Sequence, residues 1–292
     1  MIIDCHAHAM LRPLLRRLDG NTHLSDAEVV ALMDKRGIAK SVILPTGDQS
    51  IGEVLEMCER FPGRFIPFCN FDPRQNRRPG YLTTAYFDFQ LEQYKALGCR
   101  GFGEWTTRIP WEDPAALALL EACKKIGFPV TFHTTSPAGD GYGVIDEIGL
   151  PGLERMLRRF PDLNFFGHST AFWSEIAPDV TQAQKDDYPT GAVRHGGRVP
   201  ELLRRYPNLY GDLSAGSGLN ALKRDPSHAR EFLDEFQDRL LLGLDQCSLA
   251  NPMQHVAWFE EALASGRITQ NAWEKIAWRN LDRLLGLGLA TG

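Results

Sequence analysis

Two histidines one residue apart, His6 and His8 in the opening stretch MIIDCHAHAM, are the first residues whose type and spacing could do chemistry. Side chains of an extended strand alternate faces, so strict alternation puts Asp4, His6 and His8 on one side and Ile3, Cys5 and Ala7 on the other. Two neighbouring imidazoles can grip one cation. An isolated HxH is more often a pair of ordinary histidines, but here similar residues recur. Of the eight histidines, His6, His8, His133 and His168 stand at the ends of apolar runs, as do Glu104 and Asp245. Chance places one or two residues that way; four imidazoles with two carboxylates are hard to explain without a metal.

Zinc and similar ions take imidazole nitrogen and carboxylate oxygen, and a catalytic site keeps a position for water. His6, His8, His133 and Asp245 suffice for one ion. Glu104 and His168 leave two arrangements open: a second ion with Glu104 bridging, or His168 hydrogen-bonded to the water. Zinc is the first expectation, with manganese or another divalent cation as the alternative, in a site of one or two ions.

The elements that must position these residues follow a repeating pattern. Eight apolar runs alternate with helical periodicity: the opening strand, Ser41–Pro45, Arg64–Phe71, Cys99–Trp105, the PVTFHT stretch, Leu163–His168, NLYGDLS and RLLLGLDQ. Ser25 with Glu28 predicts a capping box that opens a helix, and Gly37 predicts its end. Aspartate followed by proline, at 113–114 and 225–226, opens two more. The segments LEMCERFPGRFIPF, ERMLRRFPDLNFF and ELLRRYPNLY each close a helix with an aromatic and a proline before a strand. Strands that read as continuous apolar runs between helices imply a parallel sheet covered on both faces. Eight such units predict an α/β fold, a (β/α)8 TIM barrel forming a single domain over 1–292. Strand ends of a barrel meet at one mouth, where the candidate residues would converge. The long connection 169–199 is a lid, an interface or a solvated insertion.

A chain of 292 residues with 43% hydrophobic and 24% charged residues can bury a large core. Its net charge of −5 argues against nucleic acid or an anionic membrane surface as a partner. Six cysteines without CxxC spacing read as reduced, buried thiols. The absence of a charged region followed by an apolar stretch at the start predicts a cytoplasmic protein. Arg12, Arg74, Arg108 and Arg198 suit a carboxylate substrate, and Trp105 and Trp173 are candidates to line its pocket.

The motifs IDCHAH, TFHT, FFGHS, LLGLDQ and the closing IAWRNLDRLLGL resemble, over nearly the whole chain, the amidohydrolase superfamily. The branch resembled is amidohydrolase-2, the metal-dependent hydrolases and decarboxylases related to aminocarboxymuconate semialdehyde decarboxylase. The resemblance implies that His6, His8, His133 and Asp245 bind metal and that His168 acts at the water or a second ion. The expected reaction is hydrolysis of an amide, ester or lactone bond of a small molecule, with Asp245 relaying the proton of a water activated by the metal. The alternatives are non-oxidative decarboxylation or hydration of a small carboxylic acid, a metal-free lactonase, and a barrel that only binds. A homodimer is expected by analogy alone.

Overall fold

In a computed structural model of the chain, which describes residues 1–46, 49–74, 83–139 and 141–289, all eight expected strands form. They are β1 (Ile3–Ala7), β2 (Lys40–Ile43), β3 (Phe65–Pro67), β4 (Phe102–Trp105), β5 (Val130–Thr135), β6 (Phe165–His168), β7 (Leu209–Asp212) and β8 (Leu240–Leu241). Every pairing between them is parallel. Two seams remain between the β1–β3 and β4–β8 sheets, and backbone bonds close both. Cys69 N donates to Gly101 O (3.0 Å) and Gly103 N to Cys69 O (2.9 Å) across the first. Across the second, Cys5 N donates to Leu242 O and Asp245 N to His6 O, each at 2.8 Å. The result is a (β/α)8 TIM barrel.

The helix boundaries follow the local chemistry. Helix α1 (Asp26–Arg36) carries the capping box: Ser25 Oγ accepts from Glu28 N while Glu28 Oε2 accepts from Ser25 N, and Gly37 ends it in the left-handed region. The repeated aromatic-proline junctions do end helices before strands. Asn208 at one of them donates to the carbonyls of Leu157, Phe160 and Leu163, satisfying a helix end and the loop after it.

Three features depart from the pattern. Val144–Ile145 forms an extra two-residue strand on β5. A helix, Ala215–Lys223, follows β7 directly. The connection 169–199 is not featureless: it holds the short helices Thr170–Trp173 and Gln182–Lys185, pinned by a buried Lys185–Glu175 ion pair.

The core has two layers. One apolar cluster fills the shell between strands and helices. A smaller one, with Val42, Phe68, Phe166 and Tyr210, packs with Leu281 and Leu285 of the last helix. Phe166 shares the inward face of β6 with His168, so apolar packing lies below the mouth and polar groups at it. No helix among the described residues is long and apolar enough to cross a membrane.

Candidate metal centre

Six predicted residues meet at the carboxyl mouth. His6 and His8 face each other with Nε2 atoms 3.2 Å apart. Glu104 Oε2 stands 3.4 Å from His8 Nε2 and 3.7 Å from His6 Nε2, while Asp245 Oδ1 lies 3.3 and 3.9 Å from the same atoms. On the far side of Glu104, Oε1 accepts from His133 Nδ1 (2.7 Å) and sits 3.8 Å from His168 Nε2. Asp245 Oδ2 approaches that histidine to 3.7 Å. Each carboxylate therefore offers one oxygen to the His6–His8 pair and the other to the His168 side.

The donor set fits a divalent cation. Ligands bound at about 2.0–2.1 Å in a tetrahedron lie about 3.4 Å apart, close to the spacings here. Tautomers agree as well. Leu44 O can only accept, so His8 Nδ1 (2.8 Å) donates to it and the Nε2 lone pair points at the centre. His6 Nδ1 donates likewise to Asp212 Oδ2 (2.6 Å).

Without a cation His6 and His8 hold protons instead. Burial opposes charging His8, but hydrogen bonds to Asp245 and Glu104 outweigh it and lift its pKa to about 10. Burial opposes charge on Glu104 too, and its bonds to His133, His6 and His8 still hold it well below the carboxylate range. Burial opposes charge on Asp245 as well, but the charge of His6 and the bond from His8 outweigh it and lower that carboxyl. His168 goes the other way: burial and the charge of His6 push it to about 4, so it is neutral at pH 7. Its Nδ1 meets Ser214 Oγ at 2.8 Å.

The backbone around the mouth is unusual. Ser169 (φ 110°), Ala215 (φ 58°) and Asp245 (φ 50°) adopt the left-handed region just beyond β6, β7 and β8. Such conformations concentrate where a fold must aim side chains. At Gly103 a Cβ would lie 2.4 Å from Thr131 O, so only glycine lets β4 approach β5 and deliver Glu104 beside His133.

The structure places the other expected residues as follows. His133 converges with Glu104 and His168, while His6 converges with His8 and Glu104 and with His168 and Asp245. Asp4 does not face the centre. A register shift between Asp4 and Ala7 breaks the alternation, and the Asp4 carboxylate accepts from His6 N (3.0 Å) and Leu244 N (2.9 Å). Cys5, assigned to the opposite face, instead donates to Asp212 Oδ1 (3.2 Å).

Neither predicted tryptophan lines the cavity. Trp105 is buried against Trp111, and Trp173 is buried with Nε1 donating to Asp212 O (2.8 Å). The predicted arginines are bound elsewhere: Arg74 pairs with Asp72, Arg108 donates to Gly141 O and Pro137 O, and Arg198 bridges Gly149 O and Glu154. Arg12 lies exposed outside the cavity lining.

Asp212 is the largest omission of the sequence reading. It is buried at the end of β7, 2.6 Å from His6 Nδ1 and 3.7 Å from His168 Nδ1, and the neighbouring imidazoles hold it ionised against its burial. The GD within NLYGDLS, where the strand ends, was the available signal. Replacing Asp212 with asparagine is expected to weaken divalent-cation binding about 10- to 100-fold, because the anion beside His6 Nδ1 becomes a neutral amide whose single oxygen cannot serve both His6 and the Cys5 and Ser214 donors. Isothermal titration with zinc measures this; unchanged affinity would remove Asp212 from the site.

Above the donors opens a cavity of about 560 Å³, lined by His8, Glu104 and Asp245 below and by Arg17, Tyr142 and Tyr188 around the side. A second lobe of about 330 Å³ reaches His133 and His168. Tyr188 comes from the 169–199 connection. Asp186, two residues earlier, ties that segment to the exit of β5 by accepting from Ser136 N (3.0 Å), Ser136 Oγ and Thr135 Oγ1.

A closed parallel barrel with clustered imidazoles and carboxylates at its carboxyl mouth defines the class of metal-dependent barrel enzymes. Comparison narrows this. The family model described as Amidohydrolase (Amidohydro_2) matches residues 3–287, and the chain belongs to that metal-dependent enzyme family. No curated protein matches the chain in sequence.

Solved structures share the fold at low identity. A probable 2-pyrone-4,6-dicarboxylic acid hydrolase from Acinetobacter baumannii with citric acid bound has a TM-score of 0.60 at 12% identity, covering 98% of this chain and 99% of that one. A 5-carboxyvanillate decarboxylase from Sphingomonas paucimobilis gives 0.57 at 13%, covering 98% of each. A 4-oxalomesaconate hydratase from Rhodopseudomonas palustris gives 0.54 at 15%, covering 100% and 98%. Hydrolases, decarboxylases and hydratases thus stand among the neighbours, and the shared fold does not choose between them.

Proposed function

We propose that this chain is a cytoplasmic metal-dependent hydrolase that cleaves an amide, ester or lactone bond of a small carboxylate-bearing molecule. The observation that carries the reading is the placement of Asp245, which borders both halves of the donor set and lines the open cavity. His6, His8, Glu104 and Asp245 would hold a divalent cation, which would supply Lewis acidity; a second ion across Glu104 would take His133 and the Nε2 lone pair of His168, in place of the hydrogen-bonding role of that histidine.

The rest of the chemistry belongs to the side chains. Asp245, kept ionised, accepts a proton from water at Oδ2 and returns it to the leaving group. His168 is neutral, and in the tautomer in which Ser214 Oγ–H donates to Nδ1 its Nε2–H faces the centre and donates to the oxygen of the scissile carbonyl. Arg17 is the one lysine or arginine among the described residues lining the two lobes, and its guanidinium reaches Asp19 at 3.4 Å and the Cys247 thiol. It suits a substrate carboxylate, as does the citric acid bound in one structural neighbour.

Assay of the zinc-loaded protein on carboxylated lactones, esters, amides and aromatic acids tests the assignment. Proton release with a carboxylate or alcohol product supports hydrolysis. Carbon dioxide release or water addition instead assigns the second reading, a lyase, which the same centre and Arg17 also suit. On the substrate so found, Arg17→Ala is expected to raise KM about 10- to 100-fold with a smaller change in kcat, the worth of one charge-assisted hydrogen bond. An unchanged KM would show that the carboxylate binds elsewhere.

A further inference from the structure

We propose that Cys247 is an additional ligand of the metal centre, its thiolate joining His8 and Asp245 on the side that faces the cavity. The inference rests on the metal-centre reading above and extends it to a sulfur donor.

Three observations support it. The donor atoms of His8, Asp245 and Cys247 all lie within 4.8 Å of one another, and Cys247 is the one cysteine in any such group among the described residues. Its Sγ stands 3.2 Å from Asp245 Oδ1, the same oxygen that approaches His8 Nε2 to 3.3 Å. A thiolate at about 2.3 Å and a carboxylate oxygen at about 2.0 Å on one tetrahedral ion lie about 3.5 Å apart, so a small movement makes the contact a ligand pair.

The sulfur is also held in place. Leu24 N donates to Cys247 O (3.2 Å), and the adjacent Gln246 is fixed by Arg36 Nη2 (2.6 Å) and by its own bond to Ser248 O (3.0 Å). The other wall residue of opposite charge, Arg17, lines the same cavity and offsets the added negative charge.

On coordination the Sγ–H bond breaks, its proton leaves to solvent, and the sulfur lone pair forms the bond to the cation. No electron is transferred. A thiolate shifts preference toward zinc, cobalt and cadmium and away from manganese, which favours oxygen donors.

Cobalt(II) titration of the metal-free protein tests this by absorption spectroscopy. The expected result is a near-ultraviolet sulfur-to-cobalt charge-transfer band together with visible d–d bands, and in Cys247→Ser loss of the former with retention of the latter. Competition should agree, with the zinc-to-manganese affinity ratio falling at least tenfold in Cys247→Ser and in Cys247→Ala. Visible bands without a charge-transfer band in the unsubstituted protein would overturn the proposal while sparing the metal centre. A charge-transfer band that survives in Cys247→Ser would overturn it in favour of another cysteine. Absence of any cobalt band in the unsubstituted protein would overturn both.

Discussion

Replacing Asp245 with asparagine is expected to lower kcat by about 10²- to 10⁴-fold, the usual contribution of a positioned proton carrier, with little change in melting temperature. The substitution spares the backbone because asparagine shares the tolerance of aspartate for the left-handed conformation that residue 245 adopts at φ 50°. The backbone bond from residue 245 to His6 O is untouched. What is lost is an anion that lies 3.3 Å from His8 Nε2 and 3.7 Å from His168 Nε2 and accepts a proton on the cavity side. Metal content measured on the same sample separates lost proton transfer from lost cation. An Asp245→Asn enzyme with full turnover would exclude Asp245 as the proton carrier.

Removal of the cation is expected to abolish turnover and to change how stability depends on pH. The folded, metal-free protein holds a proton on His8 up to about pH 10, against an ordinary histidine value near 6.5. A folded pKa raised in this way contributes stability that is fully present below about pH 6.5 and is lost as pH rises toward 10. The metal-free protein should therefore lose stability across that window, most steeply near its middle, where the folded imidazole is charged and the unfolded one is not. A cation takes the place of the proton between imidazoles and carboxylates and does not leave at high pH. At 100 times its dissociation constant it adds about 2.7 kcal/mol, worth roughly 4 °C in melting temperature for a chain of this size. Melting curves from pH 6 to 10 after chelation, and again after adding zinc, check the prediction. Coincident curves would mean that no cation binds at this cluster.

The barrel and most of the centre could be read from the chain because both follow period and position. Eight apolar runs flanked by helix starts give the strands, and a polar residue ending such a run must point at the mouth. Asp212 obeyed the same rule but sat in a strand read only for its apolar residues. Its importance comes from His6, 206 positions away, and a contact of that range leaves no local trace.

Trp105 illustrates the reverse error. It follows Glu104 directly on β4, and neighbours on a strand face opposite ways, so alternation alone sends it to the helix side once Glu104 faces in. Alternation itself failed at Asp4 and Cys5, where the register shift near the start of β1 re-aims both side chains. Arg108 and Arg198 could not be resolved because their partners, Gly141 and Glu154, are brought near only by the fold, whereas the partner of Arg74, Asp72, lies two residues away and was open to reading. Arg17, Tyr142 and Tyr188 lie outside the strands, in connections whose paths no periodicity encodes.

The division of labour at the mouth has a consequence for how the protein can diversify. Every donor residue is anchored in or just beyond a barrel strand, whereas Tyr188 is carried by a connection tethered to the rim through Asp186. Exchanging that one stretch for another of similar length would reshape which molecules are admitted and leave the reacting groups undisturbed. Selectivity and reactivity can then be altered separately, the first by grafting a segment and the second only by rebuilding the frame.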